Sequence, residues 1–402
     1  MKTSILALLF ALLSPVLFAR QQAPTLSEQA EISLITCAPG DEALYAAFGH
    51  SAVRVHDPVS RIDIAYNYGI FDFEQENFYF NFARGYLLYK LGAWPYKGFV
   101  GVYKKYDRTI EEQVLNLSQE QKQKVYAFLY NNALPANQNY LYDYFDNNCA
   151  TKIRDAMQEA LGGDLMFQEG YVEEPRSFRA LINAYSEEEQ PWGNFGINFG
   201  LGSPIDEVAT PYEHQFLPDY LRDAFAKAKI GKDGEPQAFV KEYRVVYKGE
   251  NSPALHPSLF TPDLVFWIAF IFLTILSVWV WMSGRQGRGI DLLVFGLTGL
   301  AGLVLFLLAT ATDHEDTAYN YNMIWAFPLH IFALAFILRK KIPSWMRFYA
   351  MITGGLLILL VINWYWLPQD IPNAVIPLIL LLLLRLFLVW KRAQERHMKF
   401  TG

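Results

Sequence analysis

Long apolar stretches dominate the last third of the chain, whereas shorter apolar bursts alternate with polar residues before it. After residue 260, five stretches approach the roughly 20 residues that a helix needs to cross a bilayer. They are 262–283, 290–312, 322–338, 345–366 and 371–390. The pattern predicts an all-α domain of five transmembrane helices over residues 261–392, followed by a cytoplasmic tail at 393–402.

The first 19 residues have the pattern of a secretory signal. Lys2 precedes an apolar run from Ile5 to Leu17, and Ala19 supplies a small residue for cleavage. We therefore expect residues 20–260 to form an exported domain. An uncleaved anchor is the alternative, because Leu17 suits the cleavage motif poorly.

The charges of the membrane segment favour the same orientation. With residues 20–260 outside, ten of its eleven basic residues fall on the cytoplasmic side, as the positive-inside rule requires. Arg385 is the exception, and we expect it to snorkel from the last helix toward the inner surface. The signal and the charge distribution thus agree on a multi-pass topology.

Composition narrows the range of functions. Residues 1–260 carry 23 basic and 33 acidic side chains, a net charge of −10, whereas the remainder has a net charge of +4. No basic patch dominates, so we expect no nucleic-acid partner. The 16% aromatic content argues against a disordered chain, and two cysteines are too few for a disulfide framework.

The exported domain is predicted to mix strands and helices, an α+β class. Residues 30–70 have the alternation of strands, Glu242–Lys248 reads as another strand, and Ser118 and Gln121 form a capping box. The Gly- and Asn-rich stretch 191–204 is expected to be a loop. Apolar spacing predicts helices at 119–134, 149–161 and 211–229.

Cys149 is the candidate nucleophile. Asn148 can cap the helix that begins at Cys149, which places the thiol in the first helical turn. Asn148 is also a candidate for contact with substrate. There the helix dipole and the free N–H groups favour a thiolate and could hold an oxyanion. The alternative is a small buried residue that happens to be cysteine.

His50 is the candidate general base. The strand around it turns Val53 and Val55 to one side, which leaves His50 and Arg54 on the other. Arg54 is accordingly a candidate for binding a donor phosphate, with a salt bridge to a nearby acid as the alternative.

The partner of His50 depends on strand register. If the next turn centres between Pro58 and Val59, Asn67 lies directly opposite His50, whereas a slip of one residue places Tyr66 there. An Asn carbonyl that accepts the imidazole N–H would complete a Cys-His-Asn arrangement.

The order of these residues resembles that of the circularly permuted papain-like enzymes, such as the lecithin:retinol acyltransferase group, because the histidine strand precedes the cysteine helix. More closely, the whole chain resembles the Lnb family of bacterial membrane proteins. The resemblance is carried by 36–42, 48–54, 66–72, 146–155 and 312–314 with Asn320 and Asn322. It implies a permuted papain-like periplasmic domain followed by membrane helices in the bacterial inner membrane.

The resemblance also implies an activity, the transfer of a third acyl chain to the amino group of a lipoprotein's N-terminal cysteine. Diacylated lipoproteins would be the acceptors, a phospholipid or lipoprotein would be the donor, and no cofactor is implied. The family's nucleophile and base map onto Cys149 and His50. The lecithin:retinol group has a second histidine where this chain offers Asn67 or Tyr66, so the orienting residue stays open.

Asp313 and His314, in an outer loop, are candidates for touching substrate at the bilayer surface. Four consecutive residues, 313–316, cannot all face one ion, so we expect no metal site. Aromatic residues at 77–89 could rest on the lipid or fill the core. Cys37 is expected in the core, with a disulfide to Cys149 as an alternative that would abolish the chemistry.

Two other functions stay open. One is a membrane-anchored cysteine peptidase or amidase that acts on cell-wall peptides with the same residues. The other is a non-catalytic envelope protein whose cleft binds lipid or a partner.

Overall fold

A computed structural model describes residues 22–231, 236–250 and 259–401, with side chains up to residue 394. The predicted signal at 1–19 lies outside the described residues. An α+β domain is followed by a domain of apolar helices, as predicted. The last helix continues to Thr401, so residues 393–401 of the predicted cytoplasmic tail are helical.

Ten short strands occur in the described part of the exported domain. They are β1 (Glu31–Cys37), β2 (His50–Asp57), β3 (Ile62–Ile70), β4 (Leu88–Pro95), β5 (Ile110–Leu115), β6 (Asn139–Leu141), β7 (Leu165–Met166), β8 (Lys229–Ile230), β9 (Gln237–Ala238) and β10 (Val240–Tyr247). Seven of them form an antiparallel sheet in the order β10-β5-β1-β2-β3-β4-β6, and β7, β8 and β9 form a small second sheet.

Helices cover both faces of the large sheet. The described α-helices of this domain are α1 (Phe78–Ala83), α2 (Tyr96–Lys105), α3 (Gln119–Asn132), α4 (Cys149–Leu161), α5 (Phe178–Ser186), α6 (Pro191–Gly200), α7 (Pro211–His214) and α8 (Pro218–Lys227). The predicted capping box of α3 is present. The single helix predicted at 211–229 is divided in two, and Pro218, which has no N–H, begins the second.

The main core lies between the sheet and helices α3, α4 and α8. Val53 and Val55 of β2 point into it, together with Ala150 and Ile153 of α4. Helix α2 covers the opposite face, where Ala52 and Cys37 are buried. Since helix α4 packs directly on β2 and β3, the start of that helix meets the start of the strand that carries His50.

The expectation of a loop at 191–204 was wrong, because residues 191–200 form α6. Trp192, Phe195 and Phe199 recur at helical spacing and therefore share one face. That face packs against the membrane domain, where the rings of Phe195 and Phe266 have centroids 5.3 Å apart and those of Phe199 and Trp325 are 5.8 Å apart. Burial of these aromatic rings outweighs the poor helix propensity of the glycines.

The membrane domain contains five α-helices in the described residues. They are α9 (Pro262–Met282), α10 (Arg288–Ala311), α11 (His330–Ile337), α12 (Met346–Ile362) and α13 (Ile376–Thr401). Helices α9, α10 and α13 are long and apolar enough to cross a membrane, while α12 is apolar but shorter.

The third predicted span, 322–338, is only partly helical. Its α-helix starts at His330, after Pro328, and its eight residues cover about 12 Å. The preceding residues form a polar turn in which Asn320 donates to the Phe199 and Gly200 carbonyls of α6. The segment before His330 is thus held by hydrogen bonds to the exported domain and does not form the first turns of the expected helix.

The expected snorkelling of Arg385 was also wrong. Its side chain is buried and its Nη2 lies 2.6 Å from Oδ1 of Asp291 in α10. A buried partner charge and hydrogen bonds to Ser277 and Gly287 hold the guanidinium between the helices.

Candidate active site

The nucleophile candidate sits at the start of α4, where the sequence predicts it. Asn148 caps this helix, since its Oδ1 accepts hydrogen bonds from the N–H groups of Ala150 and Thr151 at 2.7 and 3.0 Å. Its Nδ2 donates to the carbonyls of Tyr144 and Phe216. The side chain of Asn148 is therefore occupied in holding the helix start, and the structure gives it this role rather than the predicted contact with substrate.

His50 lies at the first residue of β2, with Nε2 2.6 Å from Oδ1 of the buried Asn67 in β3. The predicted partner is thus correct, but the predicted register is not. Val53 pairs with Tyr66, so the β2–β3 turn is two residues longer than expected and Asn67 reaches His50 diagonally. A shift of two residues keeps a side chain on the same face of a sheet, which is why Asn67 rather than Tyr66 makes the contact.

The thiol of Cys149 interacts with His50 and with two backbone N–H groups, those of Ser51 and Ala150. Burial raises the pKa of the Cys149 thiol. The charge of His50 and these hydrogen bonds together lower that pKa by more than burial raises it, so the net shift is downward. Burial lowers the pKa of His50, and the Cys149 thiolate and Asn67 bring the net shift upward. Both shifts favour a thiolate–imidazolium pair.

The amide of Asn67 also decides which tautomer His50 adopts. A carbonyl oxygen only accepts hydrogen bonds, so Nε2 of His50 carries the proton and Nδ1 is free to take the proton of the thiol. The cap made by Asn148 does not use the N–H of Cys149. That N–H is therefore available to a developing oxyanion.

Gly69 and Tyr144 lie near Cys149. Gly69 has a φ of +90°, and a Cβ at this position would lie 3.6 Å from Cβ of Cys149. The hydroxyl of Tyr144 is buried without a hydrogen-bond partner among the described residues, and the charge of Cys149 contributes to the upward shift of its pKa, which is mainly due to burial. A buried hydroxyl that faces a reactive group without a partner is suited to donate to a substrate oxygen.

Arg54 is not available for a donor phosphate. Its Nε lies 2.7 Å from Asp63 and its Nη1 3.2 Å from Glu112, and the guanidinium stacks on Tyr96. The strand pattern correctly placed Arg54 on one face with Ala52, but this face is covered by α2 rather than open to a cleft. The salt bridge considered from the sequence is the role that the structure shows.

Asp313 and His314 join the membrane domain to α1. The N–H of Asp313 donates to the carbonyl of Arg84 at 2.8 Å, and Nε2 of His314 lies 3.1 Å from the carbonyl of Phe82. Both residues follow α10 directly, so they hold α1 at the outer end of a membrane-spanning helix. Their contact with a substrate stays a prediction.

A negative region lies beside this junction. Burial, then Asp143, Asp146 and Glu315, raise the pKa of Asp316 to about 6. Asp143 and Asp146 belong to the turn just before Cys149, so the outer loop of the membrane domain approaches the entrance to α4. Nothing in the sequence pattern predicts this proximity, because the two segments are about 170 residues apart.

Cys37 is fully buried in the core under α2, as expected, and both cysteines are free thiols. Burial raises the pKa of Cys37 far above its ordinary value. Cys149 is therefore the thiol suited to nucleophilic chemistry.

Three features of the site were missed by sequence reasoning: Ser51, Tyr144 and Gly69. Ser51 acts through its backbone, which carries no sequence signal. Tyr144 and Gly69 each stand within a short aromatic or glycine-containing motif, Tyr142–Phe145 and Tyr66–Ile70, that could have directed attention to them.

Two family models match the chain. The model described as the Lnb N-terminal periplasmic domain matches residues 18–184, and the model described as the Lnb transmembrane domain matches residues 254–396. No curated protein and no solved structure matches the chain. The two matched ranges lie one in each domain and include His50, Asn67, Cys149, Asp313 and His314.

Proposed function

Because the chain belongs to the Lnb family of membrane proteins with a periplasmic domain, we propose that it is a cysteine acyltransferase of the bacterial inner membrane. It transfers an acyl chain to the N-terminal cysteine amino group of diacylated lipoproteins. The observation that carries this proposal is the arrangement of Cys149, His50 and Asn67 in a domain docked onto membrane helices. A thiolate suits covalent acyl transfer, and the family suggests modification of lipoproteins.

The first half-reaction acylates the enzyme. The Cys149 thiolate attacks the ester carbonyl of a phospholipid or lipoprotein donor and forms a tetrahedral oxyanion. The N–H of Cys149 stabilises this oxyanion. His50 then gives its proton to the departing alcohol, so that the ester bond breaks and an acyl thioester remains on Cys149.

The second half-reaction forms the amide. The amine of the lipoprotein's N-terminal cysteine attacks the thioester carbonyl, and His50 accepts the proton that the amine loses. The second tetrahedral oxyanion collapses with the Cys149 thiolate as the leaving group. The free thiolate and the imidazolium are regenerated for the next turnover.

The position of α1 supports a lipid substrate. Tyr79, Phe80 and Phe82 expose 74%, 67% and 49% of their surface, and α1 is held at the outer end of α10 by Asp313 and His314. Exposed aromatic rings at that height suit the headgroup region of a bilayer. The donor ester can therefore reach the domain from the outer leaflet without leaving the membrane.

The test is the mass of lipoprotein N-terminal peptides from cells that lack this protein. The cells are complemented with the wild-type chain, Cys149→Ala or Cys37→Ala, the last being a matched control at the buried cysteine. We expect wild type and Cys37→Ala to restore the third acyl chain and Cys149→Ala to leave lipoproteins diacylated. Membrane levels of the three proteins are compared by immunoblotting, so that loss of folding is recognised.

Two results would overturn the proposal. Acylation that persists with Cys149→Ala would remove the thioester mechanism. Acylation that never depends on the chain, together with hydrolysis of cell-wall peptides by the purified protein without lipid, would replace acyl transfer with the peptidase function.

A further inference from the structure

A polar cavity of about 290 Å³ opens between the ends of α9 and α13 that lie farthest from the exported domain. Because α9 leaves the periplasmic domain and is 21 residues, about 32 Å, long, its far end lies at the cytoplasmic face. The proposed acyl transfer concerns the opposite face of the membrane. This cavity therefore needs its own explanation.

Positive charge lines the cavity. Four of its lining residues are basic, and no carboxylate occurs among the described residues that line it. The basic residues are Arg285, Arg385, Lys391 and Arg392.

Part of this charge is buried and only partly neutralised. Asp291 is fully buried and contacts Arg385 at 2.6 Å and Arg392 at 2.7 Å. The side chains of these two arginines are 1% and 14% exposed. One carboxylate thus serves two guanidinium groups, and an uncompensated charge in a membrane interior is costly. A bound anion would reduce that cost.

The surroundings favour an anion that carries an apolar tail. Trp281 lines the cavity, and the ammonium of Lys391 lies 4.7 Å from the centre of its ring. Trp281, Val278 and Ile275 recur at helical spacing on α9 and are exposed. An acyl chain can lie along these side chains while its headgroup occupies the cavity, which a free phosphate cannot do.

We propose that this cavity binds the phosphate headgroup of an anionic phospholipid from the cytoplasmic leaflet. Arg385 and Arg392, which share Asp291 as a partner, form the floor of the site, and Arg285 and Lys391 form its mouth. The lipid bridges α9 and α13 and stabilises the packing of the membrane domain.

The experiment uses the full chain purified in detergent, with lipid retention followed by native mass spectrometry and stability by thermal unfolding. Phosphatidylglycerol, phosphatidylcholine and inorganic phosphate are added separately. The test variant is Arg285→Gln with Lys391→Gln, which leaves the buried floor intact. The control is Lys341→Gln with Arg347→Gln, which removes equal charge from cytoplasmic residues that do not line the cavity.

We expect wild type and control to retain phosphatidylglycerol and to be stabilised by it. The test variant should bind it about 30-fold more weakly, since each of the two basic residues contributes about 1 kcal/mol to binding an anionic lipid. Equal retention of phosphatidylglycerol by the test variant would overturn the proposal. Equal retention of phosphatidylcholine would remove the selectivity for anionic lipid. Stabilisation by inorganic phosphate equal to that by lipid would show a site for free anions instead.

Discussion

His50 and Asn67 form a hydrogen bond of 2.6 Å although they are not directly paired across β2 and β3. The ladder between these strands ends at Val53 and Tyr66, so that the start of β2 leaves β3 and faces α4. The diagonal contact orients the imidazole toward Cys149. Strand separation at this point creates the space in which the thiol and the imidazole meet.

Replacing Asn67 should therefore impair catalysis more than folding. We expect Asn67→Ala to lower the acylation rate by roughly 10²-fold, because the general base loses its tautomer and orientation, and to cost about 1 kcal/mol of stability for the lost hydrogen bond. The measurement is the initial rate of lipoprotein acylation. Tyr66→Phe, in the same strand but on the core face, should keep the wild-type rate. An Asn67→Ala enzyme with normal activity would contradict the assigned role.

Thiol reactivity should distinguish the two cysteines. The lowered pKa of Cys149 predicts alkylation by iodoacetamide below about pH 8, where an ordinary cysteine is mostly protonated. Its rate should fall only when the pH drops below that lowered pKa. His50→Ala should move the reactive range to higher pH, and Cys37 should react only after unfolding. Mass spectrometry of labelled peptides measures all three, and equal labelling of both native cysteines would contradict the prediction.

Loss of the α4 cap should affect both stability and reactivity. Asn148→Ala removes the acceptor for two N–H groups and the donor for two carbonyls. We expect a loss of about 1–2 kcal/mol and a slower reaction of Cys149 with iodoacetamide. Ser118→Ala, which removes the cap of α3, should cost about 1 kcal/mol without changing the reactivity of the thiol. Identical effects of the two variants on reactivity would show that the cap does not position Cys149.

Tyr144→Phe tests the unpartnered hydroxyl beside the site. If this hydroxyl donates to the oxyanion, its removal should lower kcat by roughly 10²-fold, the lower end of the effect of losing one oxyanion donor, with little change in KM. Stability should stay the same or rise, because a buried hydroxyl without a partner is removed. Tyr96→Phe is the control, since its hydroxyl is also buried and unpartnered among the described residues but belongs to α2, which packs on the other face of the sheet from α4. An unchanged kcat would limit Tyr144 to packing.

Stability should depend on pH through Asp316. Its pKa is raised to about 6 by burial and by neighbouring acids, so the folded state is penalised as the pH rises from about 4, the unfolded pKa, to about 6. Above pH 6, Asp316→Asn should therefore unfold at a higher temperature than wild type. The gain in the free energy of unfolding should be on the order of 1 kcal/mol after allowance for solvent screening. The advantage should disappear near pH 4. Glu74→Gln, at an exposed acid, should show no such trend, and a constant difference at every pH would refute the assignment.

Local signals in the sequence predicted a large part of this protein. The capping residue Asn148, the start of α4 at Cys149 and the capping box at Ser118 depend on neighbouring residues only, and all three are confirmed. The alternation in β2 and β3 correctly placed His50 and Asn67 on one face, because side-chain direction in a strand follows a period of two.

Errors arose where distant contacts decide the outcome. Helix α6 exists because its aromatic face packs on the membrane domain, and Arg385 is buried because Asp291 of another helix reaches it. Arg54 faces α2 and two carboxylates rather than a cleft.

The sequence by itself determined the two-domain architecture and the candidates for the nucleophile and its base, since apolar periodicity, helix capping and strand alternation are local properties of the chain. Only the tertiary structure decided the strand register, the contact of α1 with Asp313 and His314, and the partners of the buried charges. Packing energy and ion pairing depend on which residues meet in space, and a linear pattern does not contain that information.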